Sequence, residues 1–169
     1  SQPEREKLFG DVRKVSQSEA PDYCNKDDAP SKVPRFNVLV GGFPCKDVST
    51  GNNQRLKHQN GITQKTGKTG GAFGGIIDLI KTHGEYLVFS VFENVLGLGT
   101  APTLTAPDGS KQKGSINESN LAASLSMLDT EADQLAFACH LDPRNFAGPQ
   151  SRDRYWMPAF SRAAIAKLN

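Results

Sequence analysis

Two continuous apolar runs constrain this chain more than any other feature. "RFNVLV" (residues 35–40) and "EYLVFSVF" (85–92) are short and rich in Val, Leu and Phe, so each reads as a strand buried on both faces. Between them, "AFGGIIDLIKTH" (72–83) puts Phe73, Ile76, Ile77 and Ile80 on one helical face, although Gly74 and Gly75 count against a helix. A strand, a helix and a second strand in that order call for a right-handed crossover and parallel pairing.

The downstream half repeats the alternation. Leu121, Leu125 and Leu128 mark a helix, with Asn117 or Ser119 available as its cap. "QLAFACHL" (134–141) places Leu135, Phe137, Cys139 and Leu141 on one face of a third strand near a sheet edge. "RYWMPAF" (154–160) is a fourth, with Pro158 arguing against a central position. Residues 16–34 and 99–118 read as surface connections. The expected fold is α/β, with a largely parallel sheet and flanking helices. Ligands of such sheets gather at the carboxyl ends of strands.

Composition excludes little. The 169 residues are 37% hydrophobic and 22% charged with net charge +2, so a nucleic-acid partner has to be argued from local charge. Such local charge exists. From Val48 to Ile77 there is no acidic residue, and Arg55, Lys57, Lys65 and Lys68 make the stretch a basic, Gly-punctuated loop up to about Gly71. No apolar run has the length of a membrane span, and no signal peptide opens the chain. Cys24, Cys45 and Cys139 are far apart and form no CxxC pair, which favours a reducing intracellular setting over disulfides or structural zinc. "GITQKTGKT" (61–69) imitates a P-loop, but its glycine spacing is one residue too long and no apolar strand precedes it.

Three places can carry chemistry. "GGFPCKDVS" (41–49) follows the first strand and sets Cys45 behind Pro44, with Lys46 beside it to favour a thiolate; the bland alternative is a small residue in a tight turn. Glu93 follows the second strand, where a partly desolvated carboxyl is a usable proton donor or, equally, a helix cap. Arg152 and Arg154, two apart, form a guanidinium fork for phosphate or carbonyl oxygen, or a solvated surface pair. His58, His83 and His140 show no metal-ligand spacing, and a hydrolase built on Cys45 would need one of them as its base.

In order, "GGFPCKDVS", "FENVLGL" (92–98) and "PQSRDRYW" (149–156) resemble the cytosine-5 methyltransferase family, in which a Pro-Cys loop, a Glu-Asn-Val triplet and a Gln-x-Arg-x-Arg motif follow one another. "FGDVRKV" (9–15) is similar to the family's earlier Gly-Asp-Val/Ile segment, and "GAFGGIIDLI" (71–80) stands in the place of the helix between the first two motifs. The resemblance covers residues 9–160 with 99–118 unmatched, and Lys46 stands where the family usually has Gln.

The resemblance implies a partial Rossmann-like methyltransferase domain that uses S-adenosylmethionine on a flipped DNA cytosine. A tRNA substrate and a non-catalytic regulatory or remnant relative are the alternatives. It implies Cys45 as the nucleophile at C6, Glu93 at N3 and Arg154 near O2, with Arg152 and Gln150 supporting them. Asp11, Val12 and Pro44 fall to the cofactor, and Lys46, Ser49, Arg55, Lys57, Asn94 and Gln150 to the nucleic acid. Asn94 would also orient Glu93. The family's Gly-rich cofactor segment would precede Phe9, and its target-recognition region would follow. Residues 1–169 are therefore expected to be one partial catalytic domain, inactive alone, of an intracellular protein, nuclear in a eukaryote, with neither membrane nor metal.

Overall fold

The computed structural model describes residues 7, 9–15, 19–24, 27, 29–49, 51–53, 60–146 and 152–168. A short helix, α1 (Val12–Val15), and a small antiparallel pair, β1 (Glu19–Pro21) with β2 (Pro30–Lys32), precede the main sheet. β3 (Val38–Gly42) opens that sheet, and α2 (Gly67–His83) crosses to β4 (Phe89–Val95). A hairpin, β5 (Thr103–Thr105) with β6 (Lys111–Lys113), leads to α3 (Asn120–Thr130). β7 (Gln134–Ala136), β8 (Cys139–Leu141), β9 (Arg154–Ser161) and α4 (Arg162–Ala166) follow.

The sheet runs β3-β4-β9-β7, and β8 also pairs with β9. β3 and β4 are parallel, as a helical crossover requires. β4 and β7 also point the same way, since each is antiparallel to the β9 that lies between them. The α/β class and the flanking helices hold, and β3, β4, β7 and β8 all run in one direction, with β9 alone reversed. β9 follows β8 after a 3-10 turn at Pro143–Phe146, and its pairings with β4, β7 and β8 are all antiparallel.

β9 is also central, against the expectation drawn from Pro158. β7 and β8 are one strand in a single register, Gln134 opposite Ser161 and Leu141 opposite Arg154, interrupted at 137 and 138. The interruption faces Pro158, which accepts a hydrogen bond from the Phe137 N–H (3.1 Å) and has no N–H to return. In an antiparallel ladder a residue's N–H and C=O point to the same neighbour, so β4 loses nothing.

Both crossovers progress across the sheet in the same direction, and right-handedness puts both helices on the same face. Phe73, Ile77 and Ile80 of α2 and Leu128 of α3 pack there on Phe92, Met157 and Ala159. Phe73 lies 4.8 Å from Phe43 and edge-on to Phe92 at 6.3 Å. Ser119 caps α3, its hydroxyl accepting the Ala122 N–H.

Among the described residues no α-helix covers the opposite face, which corrects the expectation that the two apolar runs are buried on both sides. Val38 and Val40 are 55% and 68% exposed, and the stripe Leu135, Phe137 and Leu141 lies open as well. The second strand also starts later than expected, at Phe89, behind a 3-10 turn at Gly84–Tyr86. Glu93 and Asn94 are thus inside β4. Their side chains alternate, Glu93 toward the open face and Asn94 into the core. Among the described residues no helix is long and apolar enough to cross a membrane.

Candidate active site

Gly41 and Gly42 are the last residues of β3, and the chain turns at once through Phe43, Pro44 and Cys45. The Cys45 carbonyl accepts the N–H groups of Val48 (3.1 Å) and Ser49 (2.8 Å), which closes a tight turn. Three contacts pin it. The Asn94 amide donates to the Phe43 carbonyl at 3.0 Å, joining the loop to β4. Gly97 packs so closely that a β-carbon there would lie 1.9 Å from the Val48 carbonyl oxygen. The third is buried Asp47, whose carboxylate accepts the Thr69 N–H (2.8 Å) while its own N–H donates to the Thr69 hydroxyl (3.2 Å).

Asp47 therefore caps the first turn of α2, whose own N-cap residue, Thr66, makes no side-chain cap bond. Asp47→Ala is expected to destabilise the fold by about 1–3 kcal/mol, because it orphans a buried donor. The same change should speed amide exchange at Val48 and Ser49. Urea denaturation and hydrogen exchange check both effects, and unchanged exchange at those amides would mean that Asp47 does not hold the loop.

Glu93 and Arg154 meet on the open face. Glu93 pairs in register with Gly42 on one side and Trp156 on the other, and Arg154 opposes Val95. Their charged groups form an ion pair, Arg154 Nε to Glu93 Oε1, at 2.5 Å. Arg154 also donates through Nη1 to the Asp153 carbonyl at 2.8 Å. Glu93 Oε2 lies against Gly42, only 3.1 Å from where a β-carbon would stand.

Beside this pair opens a largely apolar cavity of about 700 Å³, with Val40, Leu141, Phe146 and Trp156 on its walls and Glu93, Arg152 and Arg154 at its polar end. An apolar slot with a carboxylate and a guanidinium at one end suits a flat ring with a polar edge. Arg152 is exposed but lines the same cavity. Cys45 is half-buried and is not on the cavity wall; it follows Gly42, which is, by three residues.

A smaller cavity of about 220 Å³ brings Val12 and Pro44 together with Leu39, Ala72, Ile76 and Phe92. Whole-cofactor sites commonly measure roughly 300–1,000 Å³. The cavity and its apolar lining therefore fit a ring such as adenine and not all of S-adenosylmethionine. Asp11 is not on its wall. Its carboxylate is held by Arg13, whose Nε lies 2.9 Å from both oxygens, and this lowers the Asp11 pKa from 3.8 to about 2. Arg144 does the same to Asp142, at the turn that carries Phe146, from 3.8 to about 2.

Depressed carboxylates stabilise the fold above their unfolded pKa. What these two contribute is thus present in full above pH 3.8 and is lost as the pH falls through about 2. Trp156 fluorescence is expected to hold until the pH enters that window. A change centred above pH 5 would contradict this assignment.

The basic stretch is divided by the fold. Lys65 Nζ is engaged by Glu131 at 2.8 Å, and Asp78 lies at 4.0 Å, so its charge is already matched by carboxylates of α2 and the end of α3. The P-loop look-alike is a turn running into α2, with no strand among the described residues between β3 and that turn. Lys46 is exposed at the loop tip, and Ser49 lies nearby with its hydroxyl accepting the Gly51 N–H. Arg55, Lys57, His58 and Gln150 lie outside the described residues. Among the described residues, no group of three or more His, Cys, Asp or Glu side chains is placed to hold a metal ion.

Sequence reasoning missed Asp47 and Trp156. Trp156 was within reach, since strand alternation from Arg154 puts it on the same face. Asp47 was not, because its partner is 22 residues away.

No family model matches the chain, and no curated protein matches it. Among solved structures it is similar to the crystal structure of the S. pombe Dnmt2 methyltransferase, with 16% identity and a TM-score of 0.45. The match covers 74% of this chain and 30% of that one, so the chain spans about a third of that protein's length.

Proposed function

We propose that this chain carries the catalytic core of a cytosine-5 methyltransferase acting on nucleic acid, with DNA as the first substrate to test and tRNA as the second. One observation carries the reading. The Pro-Cys loop, the Glu-Asn-Val triplet and the second arginine of the Gln-x-Arg-x-Arg motif, far apart in sequence, meet at one end of the sheet. There Asn94 bonds the loop and Glu93 bonds Arg154.

Each residue then has a chemical task. A base cannot react inside a duplex, so it is flipped out, and the 700 Å³ cavity offers apolar walls for its faces. Cys45, as thiolate, adds to C6, and the C5–C6 π pair becomes an enamine-like nucleophile at C5. Glu93 supplies the proton or hydrogen bond at N3 that accepts the displaced charge, and Arg154 neutralises charge at O2. Bound S-adenosylmethionine would supply the methyl group and leave as S-adenosylhomocysteine, and Val12 and Pro44, which share a small apolar cavity, are assigned to its adenine. Loss of the C5 proton then re-forms the double bond and expels Cys45. Lys46 and Ser49, with Arg55, Lys57, Arg152 and Gln150, are assigned to the polynucleotide backbone. The setting is intracellular, and nuclear in a eukaryote.

The test is transfer of a labelled methyl group from S-adenosylmethionine into DNA and, in parallel, tRNA. It uses the longest natural reading frame containing this chain, as wild type and as Cys45→Ala. Label should enter cytosine C5 and fall to background in the variant, and the labelled polymer names the substrate. Transfer that survives in Cys45→Ala sinks the covalent mechanism. No transfer from a folded protein that binds the cofactor moves the assignment to a non-catalytic relative.

A further inference from the structure

The β5–β6 hairpin falls in the one segment that the resemblance leaves unmatched, and it leaves the sheet at the end where the Pro-Cys loop, Glu93 and Arg154 meet. β4 ends at Val95, opposite Arg154, and the chain passes through the 3-10 turn at Leu96–Gly99 before it enters β5. Gly97 of that turn is packed on Val48, so the hairpin springs from beside the Cys45 turn. The Gly114 N–H donates to the Pro102 carbonyl at 2.8 Å and closes the hairpin's base. Beyond that base, β6 is exposed at every residue.

Register fixes what the hairpin offers. Thr103 opposes Lys113 and Thr105 opposes Lys111, so two ammonium groups and two hydroxyls share one face. Among the described residues neither lysine has an ion-pair partner, whereas Lys65 is matched by Glu131. The acidic residue of the hairpin, Asp108, is engaged within the turn, where its carboxylate accepts the Ser110 N–H at 2.9 Å. Alternate residues of a strand stand about 7 Å apart, close to the spacing of successive phosphates along a nucleic-acid strand. Two unmatched cations at that spacing, with hydroxyls beside them, suit phosphate oxygens.

We propose that the β5–β6 hairpin binds the phosphate backbone of the polynucleotide beside the target base, through Lys111 and Lys113. This rests on the reading of the chain as acting on nucleic acid. Lys46 belongs to the adjoining loop, so the two basic contacts lie on neighbouring segments of one end of the sheet.

The test measures binding of the longest natural reading frame containing this chain to a fluorescein-labelled duplex DNA and, separately, to a labelled tRNA. Anisotropy is followed from about 0.05 to 0.3 M salt. The double variant Lys111→Gln, Lys113→Gln should bind at least about tenfold more weakly at the low-salt end. Its slope of log Kd against log salt should be lower by about 1–2, and equally so on unrelated sequences. Each single variant should show about half of that change in slope, and the singles decide if circular dichroism finds the double variant unfolded. Lys81→Gln, at an exposed position in the last turn of α2, should leave the slope unchanged. The polymer that responds names the source of the phosphates. Wild-type binding with one slope shared by the Gln variants overturns the proposal and leaves the proposed function standing. An equal fall in Lys81→Gln overturns it too, since the effect is then one of net charge. A wild type that binds neither polymer overturns both readings.

Discussion

Gly97→Ala is expected to destabilise the chain by about 3 kcal/mol or more, the largest stability effect of any single methyl group at this site. The added carbon would sit 1.9 Å from the Val48 carbonyl oxygen and 3.0 Å from its carbon. The obstacle is backbone, so no rotamer change relieves it. Val48 is itself buried, with its N–H committed to the Cys45 carbonyl. Relief requires the Cys45 turn to lift from the 3-10 turn at Leu96–Gly99. Domains of this size are stable by only about 5–15 kcal/mol, so the loss would show plainly in a thermal or urea transition. A transition within about 0.5 kcal/mol of wild type would mean that the loop moves freely and that Cys45 is not rigidly held.

Glu93→Gln is expected to lower methyl transfer by about 10²–10⁴-fold with little change in stability. The amide oxygen of Gln can still accept from Arg154 Nε, so the bond that holds the guanidinium survives while the transferable proton is lost. Glu93→Ala would behave differently, because it strips Arg154 of its carboxylate beside an apolar wall and damages fold and activity together. Comparing rates and melting temperatures of the two variants separates the roles. A Gln variant with wild-type rate would reduce Glu93 to a structural partner of Arg154.

How much of this was written in the sequence depended on the range of the interaction. α2 was legible because Phe73, Ile76, Ile77 and Ile80 repeat with helical spacing, and every one is buried. Its start was not. The helix begins at Gly67, inside what reads as loop, because Asp47 supplies the cap from a distant segment. Ser119 could be named as a cap because its partner is three residues away. The hairpin at 103–113 was missed although Asp108-Gly109 marks its turn, with Gly109 at φ 82°.

The candidate site was legible only in part. The order of three short motifs named Cys45, Glu93 and Arg154, but nothing local reveals that the last two form an ion pair. Periodicity likewise identified Leu135, Phe137 and Leu141 as sharing a face without indicating how far they would be exposed. Which side a crossover helix takes is a property of the whole sheet.

The central place of β9 bears on how the chain can fold at all. It leaves the ribosome after β3, β4, β7 and β8, yet β4, β7 and β8 all pair with it. Until residues 154–161 emerge, β7 and β8 have no neighbour, and β4 has β3 alone. Closing Phe89 onto Phe160 joins positions about 70 residues apart, so the pairing is non-local and slow to assemble. The apolar strands made earlier must wait unpaired, the state most exposed to aggregation and to chaperone capture. A ribosome-bound chain halted just before Arg154 should therefore be as sensitive to protease as an unfolded one, and gain protection abruptly once β9 is released.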